Sequence, residues 1–496
     1  MKEVVVVGAG LGGLAAAVTL AARGAPVTLL EKEPRVGGCA ISFQRKGYTF
    51  DLALHALAAG GPGQELQNLL DLLGVGGEVK TLRLTEGFRV WLGSRGYRLP
   101  NRWDDLFGYL AGEFPAETKA LGRFRADVEH HVDVYAPLFD PGISRWKAVP
   151  PFLPRVPTFL RQGSLPARRY LEGFFQDPSL KALLFQAAIF MGIPSQEFPT
   201  INFLLMLHFL FRLEMVTLAG AGQGLTDALQ RRFCSLGGRL VTGTRVCEFL
   251  MKGRAVRGVR TENGAEVSAS AVVAAVSLPQ VVFELLRSAP LPQTYRENVR
   301  RLPLSLSVLV LSLGLDCHPR ELGLDNHLTV AFPDADVDGC LARQRRGIEP
   351  EGFSLTAHGN TDPGPEPGSW VVSAVAGTDP EAWLTLGAEA YQTAKARAKR
   401  ALLARIDHLY PGFSSHVRVA DLSTPRTLQR YTANPHGAIL GFAPTCGGHR
   451  KLLAANRLPV RGLHLAGAWT QRLGGFMQCL RSGVAAAEKV LAEDRR

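Results

Sequence analysis

Gly8, Gly10 and Gly13 lie in the run Val4-Val5-Val6-Val7-Gly8-Ala9-Gly10-Leu11-Gly12-Gly13, and an acidic residue, Glu31, follows about twenty positions past them. Glycines at this spacing serve the binding of a dinucleotide. The first allows a tight turn, the second lets the backbone approach a pyrophosphate, and the third permits close packing of a helix on a strand. The free N–H groups of the helix then meet the anion, and Glu31 can accept hydrogen bonds from both ribose hydroxyls, with Lys32 beside it in the same candidate site. NAD and FAD both use such a turn, so the glycines alone leave the choice open. No Ser/His/Asp cluster, His-x-x-x-His pair or close carboxylate pair stands out elsewhere, which leaves the difficult chemistry to the cofactor.

A strand, a helix and a second strand must position these residues. Val4 to Val7 is the unbroken β-branched run of a strand buried on both faces. Leu11 to Arg23 is rich in Ala and Leu, Gly24 closes the helix, and Val27 to Leu30 supplies a parallel strand ending at Glu31. The chain has 496 residues, 46% hydrophobic and 20% charged, enough to bury more than one core and unlike a disordered composition. Its net charge of +12 fits an anionic surface such as a membrane or a nucleic acid. The longest dense apolar run, Ile201 to Phe211, is only about half the ~20 residues that span a bilayer. The N-terminus shows no export signal, so a cytoplasmic location is expected. Cys39, Cys234, Cys247, Cys317, Cys340, Cys446 and Cys479 form no Cys-x-x-Cys pair. They suggest neither a metal site nor a disulfide framework, and most are read as buried small hydrophobes.

Past residue 75 the pattern changes. Helix-like stretches at Trp103 to Tyr109, Ala116 to Phe139 and Leu180 to Phe190 suggest an inserted domain. Strand signals return at Arg239 to Val241, Arg245 to Phe249, Ala255 to Thr261 and Glu266 to Ser268, with a hairpin turn at Asn263-Gly264, then at Ala271 to Val276. Leu302 to Leu315 alternates apolar and small polar residues, predicting a strand with one buried face. Trp370 to Val375 and Gly462 to Ala466 read as further strands, and Glu381 to Tyr410 as one long helix with a basic face.

The C-terminal stretch Leu463-His464-Leu465-Ala466-Gly467-Ala468-Trp469-Thr470, with Gly474-Gly475-Phe476 and Ser482-Gly483-Val484, resembles the second flavin motif of the phytoene desaturase, carotenoid isomerase and retinol saturase flavoproteins, part of the wider amine-oxidase-like group. Gly37-Gly38-Cys39-Ala40, Tyr48-Thr49-Phe50-Asp51 leading to His55, Thr361-Asp362-Pro363, and Thr424-Pro425 through Gly441 match as well. The resemblance implies FAD, with Gly467 and Ala468 on the ribityl chain, Gly475, Phe476 and Met477 beside the isoalloxazine, and Val246 meeting the adenine. It adds Gly37 and Gly38 to the cofactor set and brings His55 near the flavin as a candidate base, against the plainer reading of a satisfied structural histidine. Departures occur at Ala468, where many relatives carry an acid, at Arg472-Leu473, where Pro-Gly is usual, and at Leu54.

The implied fold is α/β: a Rossmann-like FAD-binding domain assembled from discontinuous segments, with an interleaved α+β substrate domain. Segments 1–74, 216–290 and 416–496 would bind FAD, while 75–215, mainly helical, and 291–415, sheet and helix, would hold the substrate. The expected function is hydride exchange with a hydrophobic polyene isoprenoid, carotenoid- or retinoid-like, by desaturation, saturation or cis-trans isomerisation. An amine- or protoporphyrinogen-oxidase-like enzyme and a non-catalytic flavin-binding partner or carrier are the alternatives. The apolar insert, with Phe198 to Phe211 and Arg161, Arg168 and Arg169, suits a greasy tunnel or a face dipping into the inner side of a membrane. An ordinary helical core accounts for it equally. No nucleic-acid motif appears, so nucleic acid is not expected as a partner.

Overall fold

The computed structural model describes residues 3–139, 150, 152–362, 368–446, 448, 456, 458–470 and 474–494. Pro363, Arg472 and Leu473, cited above as a match and a departure, lie outside the described residues. Among the described residues, two sheets organise the chain.

The first is a parallel five-stranded sheet in the order Leu463–Leu465, Ala271–Ala274, Val4–Val7, Val27–Leu30 and Arg239–Val241. Its strands come from widely separated stretches of chain. Val4–Val7, at the centre, is buried at every residue, as a β-branched run covered on both faces should be. Helix Leu11–Ala22 packs on this sheet beside the C-terminal helix Phe476–Asp494, which itself touches strands Leu463–Leu465 and Ala271–Ala274. A Cβ on Gly483 would stand 2.2 Å from the Gly12 carbonyl oxygen, and one on Gly12 would stand 2.5 Å from the Gly467 nitrogen. Small residues on both helices therefore bring the two glycine-rich turns together.

The second sheet has seven strands in the order Val417–Ser423, Ser307–Leu315, Trp370–Thr378, Phe353–Ala357, Leu328–Phe332, Phe88–Leu92 and Arg95–Leu99. Ser307–Leu315 is buried on both faces, not on the one face its alternation predicts. Leu309, Leu311 and Leu313 pack under helix Ala388–Leu409, through Ala398, Leu402 and Ile406. Val308 and Val310 face the other way, onto Leu428. The small polar positions are tolerated because Ser307 bonds to a backbone carbonyl.

One helix expectation is corrected. Glu381 to Tyr410 is two helices, Pro380–Leu384 and Ala388–Leu409, because Asp379 caps the first at Pro380 and the poor helix formers Thr385 and Gly387 separate them. The described residues of 75–215 form helices and three strands, Thr81–Arg83, Phe88–Leu92 and Arg95–Leu99. The last two form a hairpin around Gly93, at φ 60°, and extend the seven-stranded sheet. Phe198 to Phe211 is core: Phe198, Phe203, Leu204 and Leu207 are fully buried, while Phe209 and Leu210 reach a cavity wall. No helix among the described residues is long and apolar enough to cross a membrane.

Candidate active site

A cavity of about 1090 Å³ runs from the first glycine turn to the seven-stranded sheet. At one end Gly8 turns the chain at φ 94°. A Cβ on Gly13 would lie 1.8 Å from the Gly8 carbonyl oxygen, so only glycine lets the helix approach the turn this closely. Gly10, by contrast, would meet nothing nearer than 3.9 Å, and its backbone borders open space. Glu31 is buried, with one carboxylate oxygen accepting the Ala9 N–H at 2.7 Å and the other the Glu33 N–H at 2.9 Å. It thus stiffens the turn, and each oxygen retains acceptor capacity toward the cavity. Lys32 is engaged elsewhere: its Nζ donates to Glu33 at 2.7 Å and to the Arg430 carbonyl at 3.2 Å.

Gly37 and Gly38, at φ 134° and 60°, bring a second loop against Gly10, whose Cα is 3.1 Å from where a Gly38 Cβ would stand. Val246 is buried at the start of strand Val246–Lys252 and lines the same end, placed there because the Thr244 N–H donates to the Glu31 carbonyl at 2.8 Å.

The second turn completes the wall. Gly467, at φ 89°, donates its N–H to Ser482 Oγ at 2.7 Å, and neither it nor Gly475, at φ 109°, has anything near its missing Cβ. The carbonyl oxygen of Ala468 lies 2.3 Å from where a Gly441 Cβ would stand, so residue 441 must stay small for the two segments to touch. Phe476 and Met477 open the C-terminal helix on the cavity wall. Cys39 and Cys479 line it as well; burial pushes their thiols up to about 11 and about 12, so both stay protonated and unreactive at neutral pH. Only Cys340 of the seven cysteines is buried as a whole residue, although the Cys39 and Cys479 thiols are desolvated, and Cys234 and Cys247, on helix Ala221–Ser235 and strand Val246–Lys252, are exposed; this corrects the expectation for most of them.

His55 lies on the wall beyond the glycine turns. Its Nδ1 is 2.7 Å from Thr356 Oγ1 on strand Phe353–Ala357. Its carbonyl accepts from His327 Nε2 at 2.8 Å, so His327 Nδ1 is the acceptor for the Thr361 hydroxyl at 3.0 Å. Desolvation first, and His327 second, lower the His55 pKa to about 4, leaving the ring neutral near pH 7. Its loop is clamped by Asp51, the last residue of the Tyr48-Thr49-Phe50-Asp51 match. The buried Asp51 carboxylate accepts from the N–H groups of Ala53 at 2.8 Å, Leu54 at 2.6 Å and Gly222 at 2.6 Å. Burial raises its pKa while these donors pull it back down.

Every predicted site residue except Lys32 therefore borders or shapes one cavity, and Lys32 touches its rim with its side chain turned away. Glu197 and Arg345, paired at 3.1 Å across the far end, were not foreseen. They come from loops that nothing in the sequence ties together. The open backbone at Gly10, Gly467 and Gly475, against the tightly packed Gly12, Gly13 and Gly483, fits an extended dinucleotide laid across both helix N-termini.

A family model described as flavin containing amine oxidoreductase matches residues 11–491. A lycopene-forming phytoene desaturase from Pantoea ananas is 27% identical over 353 residues, 67% of this chain and 66% of that protein. An all-trans-retinol 13,14-reductase from Danio rerio is 24% identical over 531 residues, 99% of this chain and 86% of that protein. Among solved structures, a triple mutant of putrescine oxidase superposes with a TM-score of 0.70 over 99% of both chains at 18% identity, a likeness of fold.

Proposed function

The chain belongs to the flavin-containing amine oxidoreductase family, and from that premise we propose that it is an FAD-dependent oxidoreductase of a hydrophobic polyene isoprenoid, carotenoid- or retinoid-like. The observation that carries this reading is the cavity beyond the glycine turns. Its wall includes Leu54, Leu57, Phe190, Met206, Phe209 and Leu210, and the carboxylate there, Glu197, is paired with Arg345. Among the described lining residues that arm offers no unpaired acid to hold an ammonium group. That disfavours the amine-oxidase reading, in which a cation must be recognised.

Gly8, Gly10, Gly13, Gly37 and Gly38 would hold the pyrophosphate end of FAD, Glu31 the ribose and Val246 the adenine, while Gly467, Ala468, Gly475, Phe476 and Met477 would border the ribityl chain and ring. When bound, the flavin accepts or donates a hydride at carbon. The residues of the chain then orient and dehydrate. The apolar wall fixes the polyene and excludes water, and the neutral His55, held by Thr356 and His327, offers an acceptor for a proton lost from the neighbouring carbon. Desaturation, saturation and isomerisation use the same arrangement in different directions.

Peripheral contact with a membrane belongs to the same proposal, because such a substrate is delivered from lipid. Leu153 and Leu160, 60% and 51% exposed, stand on the segment that also carries Arg155 and Arg161.

The test is direct. Purified protein should carry FAD, and incubating it anaerobically with lipid-dispersed polyenes, oxidised and reduced, should shift the polyene absorption and change the flavin redox state. Bleaching by amines but not polyenes would overturn the substrate class; no change with either would favour the carrier reading.

A further inference from the structure

Loop 433–437 crosses the cavity wall on a strained backbone. Ala433 and His436 have φ of 55° and 56°, and Gly437 follows at 66°. Five non-glycine residues among those described adopt left-handed φ, and two of them sit in this loop. A glycine or an asparagine would occupy φ 56° with less strain than a histidine, and such strain persists only where the surroundings enforce it. Here they do. Ser307 Oγ donates to the His436 carbonyl at 2.6 Å, and Asn434 accepts from Trp469 Nε1 at 3.0 Å while donating to the Ala438 carbonyl at 2.9 Å. Leu440 packs against Gly474, so the loop is fastened to the second glycine turn on both sides.

Residue 436 lines the cavity, and its side chain is 43% exposed, with Nε2 at 3.2 Å from a Glu381 carboxylate oxygen. It stands where the cavity wall meets solvent. The elements packed against the loop bring few other charges. Helix Pro425–Thr432 carries Arg426, Arg430 and Tyr431, helix Pro380–Leu384 carries Glu381 with Asp379 at its cap, and strand Ser307–Leu315 carries no titratable side chain. Arg426 is turned to the Leu386 carbonyl and the Tyr391 ring, and Arg430 lies over Tyr431.

We propose that His436 and Glu381 form the port through which protons pass between the cavity and solvent, a reading that rests on the redox function proposed above. Two-electron oxidation of adjacent C–H groups sends a hydride to the bound flavin and leaves one proton to be removed from the neighbouring carbon. His55 accepts that proton but does not hold it, because its site disfavours the charged ring. His436 takes it on an imidazole nitrogen and returns it to Glu381 or to water. In the saturating direction the same groups deliver it.

The experiment needs no organic substrate. Photochemical reduction of bound FAD to FADH⁻ takes up two electrons and one proton, and a pH indicator in weak buffer times the proton against the bleaching of the flavin. In the native holoprotein the two should coincide. His436→Asn, which tolerates the left-handed backbone, should delay proton uptake at least tenfold, and Glu381→Gln should delay it to a lesser degree. His436→Gly should delay it as much while raising Tm by about 1–3 °C through relief of strain. Lys46→Gly, at φ 49° in an exposed hairpin turn, should raise Tm similarly and leave proton uptake unchanged. Unchanged uptake in His436→Asn, or a Tm of His436→Gly no higher than the native value, overturns the proposal. Delayed uptake in a protein inert toward polyenes would sustain the port and sink only the polyene reading.

Discussion

His55 reaches the cavity as a neutral imidazole, and its neighbours keep it so. Replacing it by Ala should lower turnover on a responsive polyene by about 10²-fold, the usual contribution of a positioned base, while bound FAD measured by absorbance stays constant. With its pKa near 4, its protonation should not shape the rate between pH 6 and 8. His55, His208, His327 and His358 all have pKa values lowered by burial. A histidine whose folded pKa is depressed contributes stability that is complete above its unfolded value near 6.5 and is lost as pH falls through its folded value. Thermal unfolding should therefore show Tm falling steadily from pH 6.5 toward pH 4; a flat Tm across that window would contradict the buried, neutral assignment. At this scale the sequence showed His55 only through its resemblance. Thr356 and His327 are distant from it in the chain, and no spacing rule connects them.

Between elements, the contact of helix Leu11–Ala22 with the C-terminal helix joins the two halves of the proposed cofactor site. Gly12→Ala should force these segments apart, costing about 1–3 kcal/mol, and should weaken FAD retention more than it lowers stability, as equilibrium dialysis against FAD would show. Arg481, on the same C-terminal helix, pairs with Glu65 at 2.8 Å, both nearly fully buried. Arg481→Met alone should destabilise by about 3–5 kcal/mol, and adding Glu65→Leu should restore most of it, by chemical denaturation. The glycines were readable because their spacing is itself the geometry. The turn at Asn263-Gly264, with Gly264 at φ 85°, was readable for the same reason. The hairpin at Gly93 carries an equally local signal, and it was masked by the helical character of the stretch that begins at Trp103. Ser307–Leu315 misled because alternation reports one buried face, whereas burial of the other depends on Leu428, more than a hundred residues away in sequence.

For the whole molecule, the proposed delivery of a greasy substrate makes the exposed Leu153 and Leu160 testable. Leu153→Glu with Leu160→Glu should reduce co-sedimentation with anionic liposomes at least tenfold, since burying one leucine is worth about 1.5–3 kcal/mol. Wild-type protein that fails to co-sediment would remove membrane contact from the proposal. Some of the surface cations are neutralised locally, Arg95 by Glu113, Arg231 by Glu78 and Arg397 by Glu349. What the sequence determined by itself is the strand–glycine–helix unit, the likeness to flavoproteins and the apolar insert, because each is written in neighbouring residues whose spacing or composition is the physical cause. What only the tertiary structure decided is which distant residues meet: Asp51 with Gly222, His55 with Thr356, Glu197 with Arg345, and His436 with Glu381. Those pairings arise when the two sheets and their helices pack, and burial then keeps the His55 ring neutral.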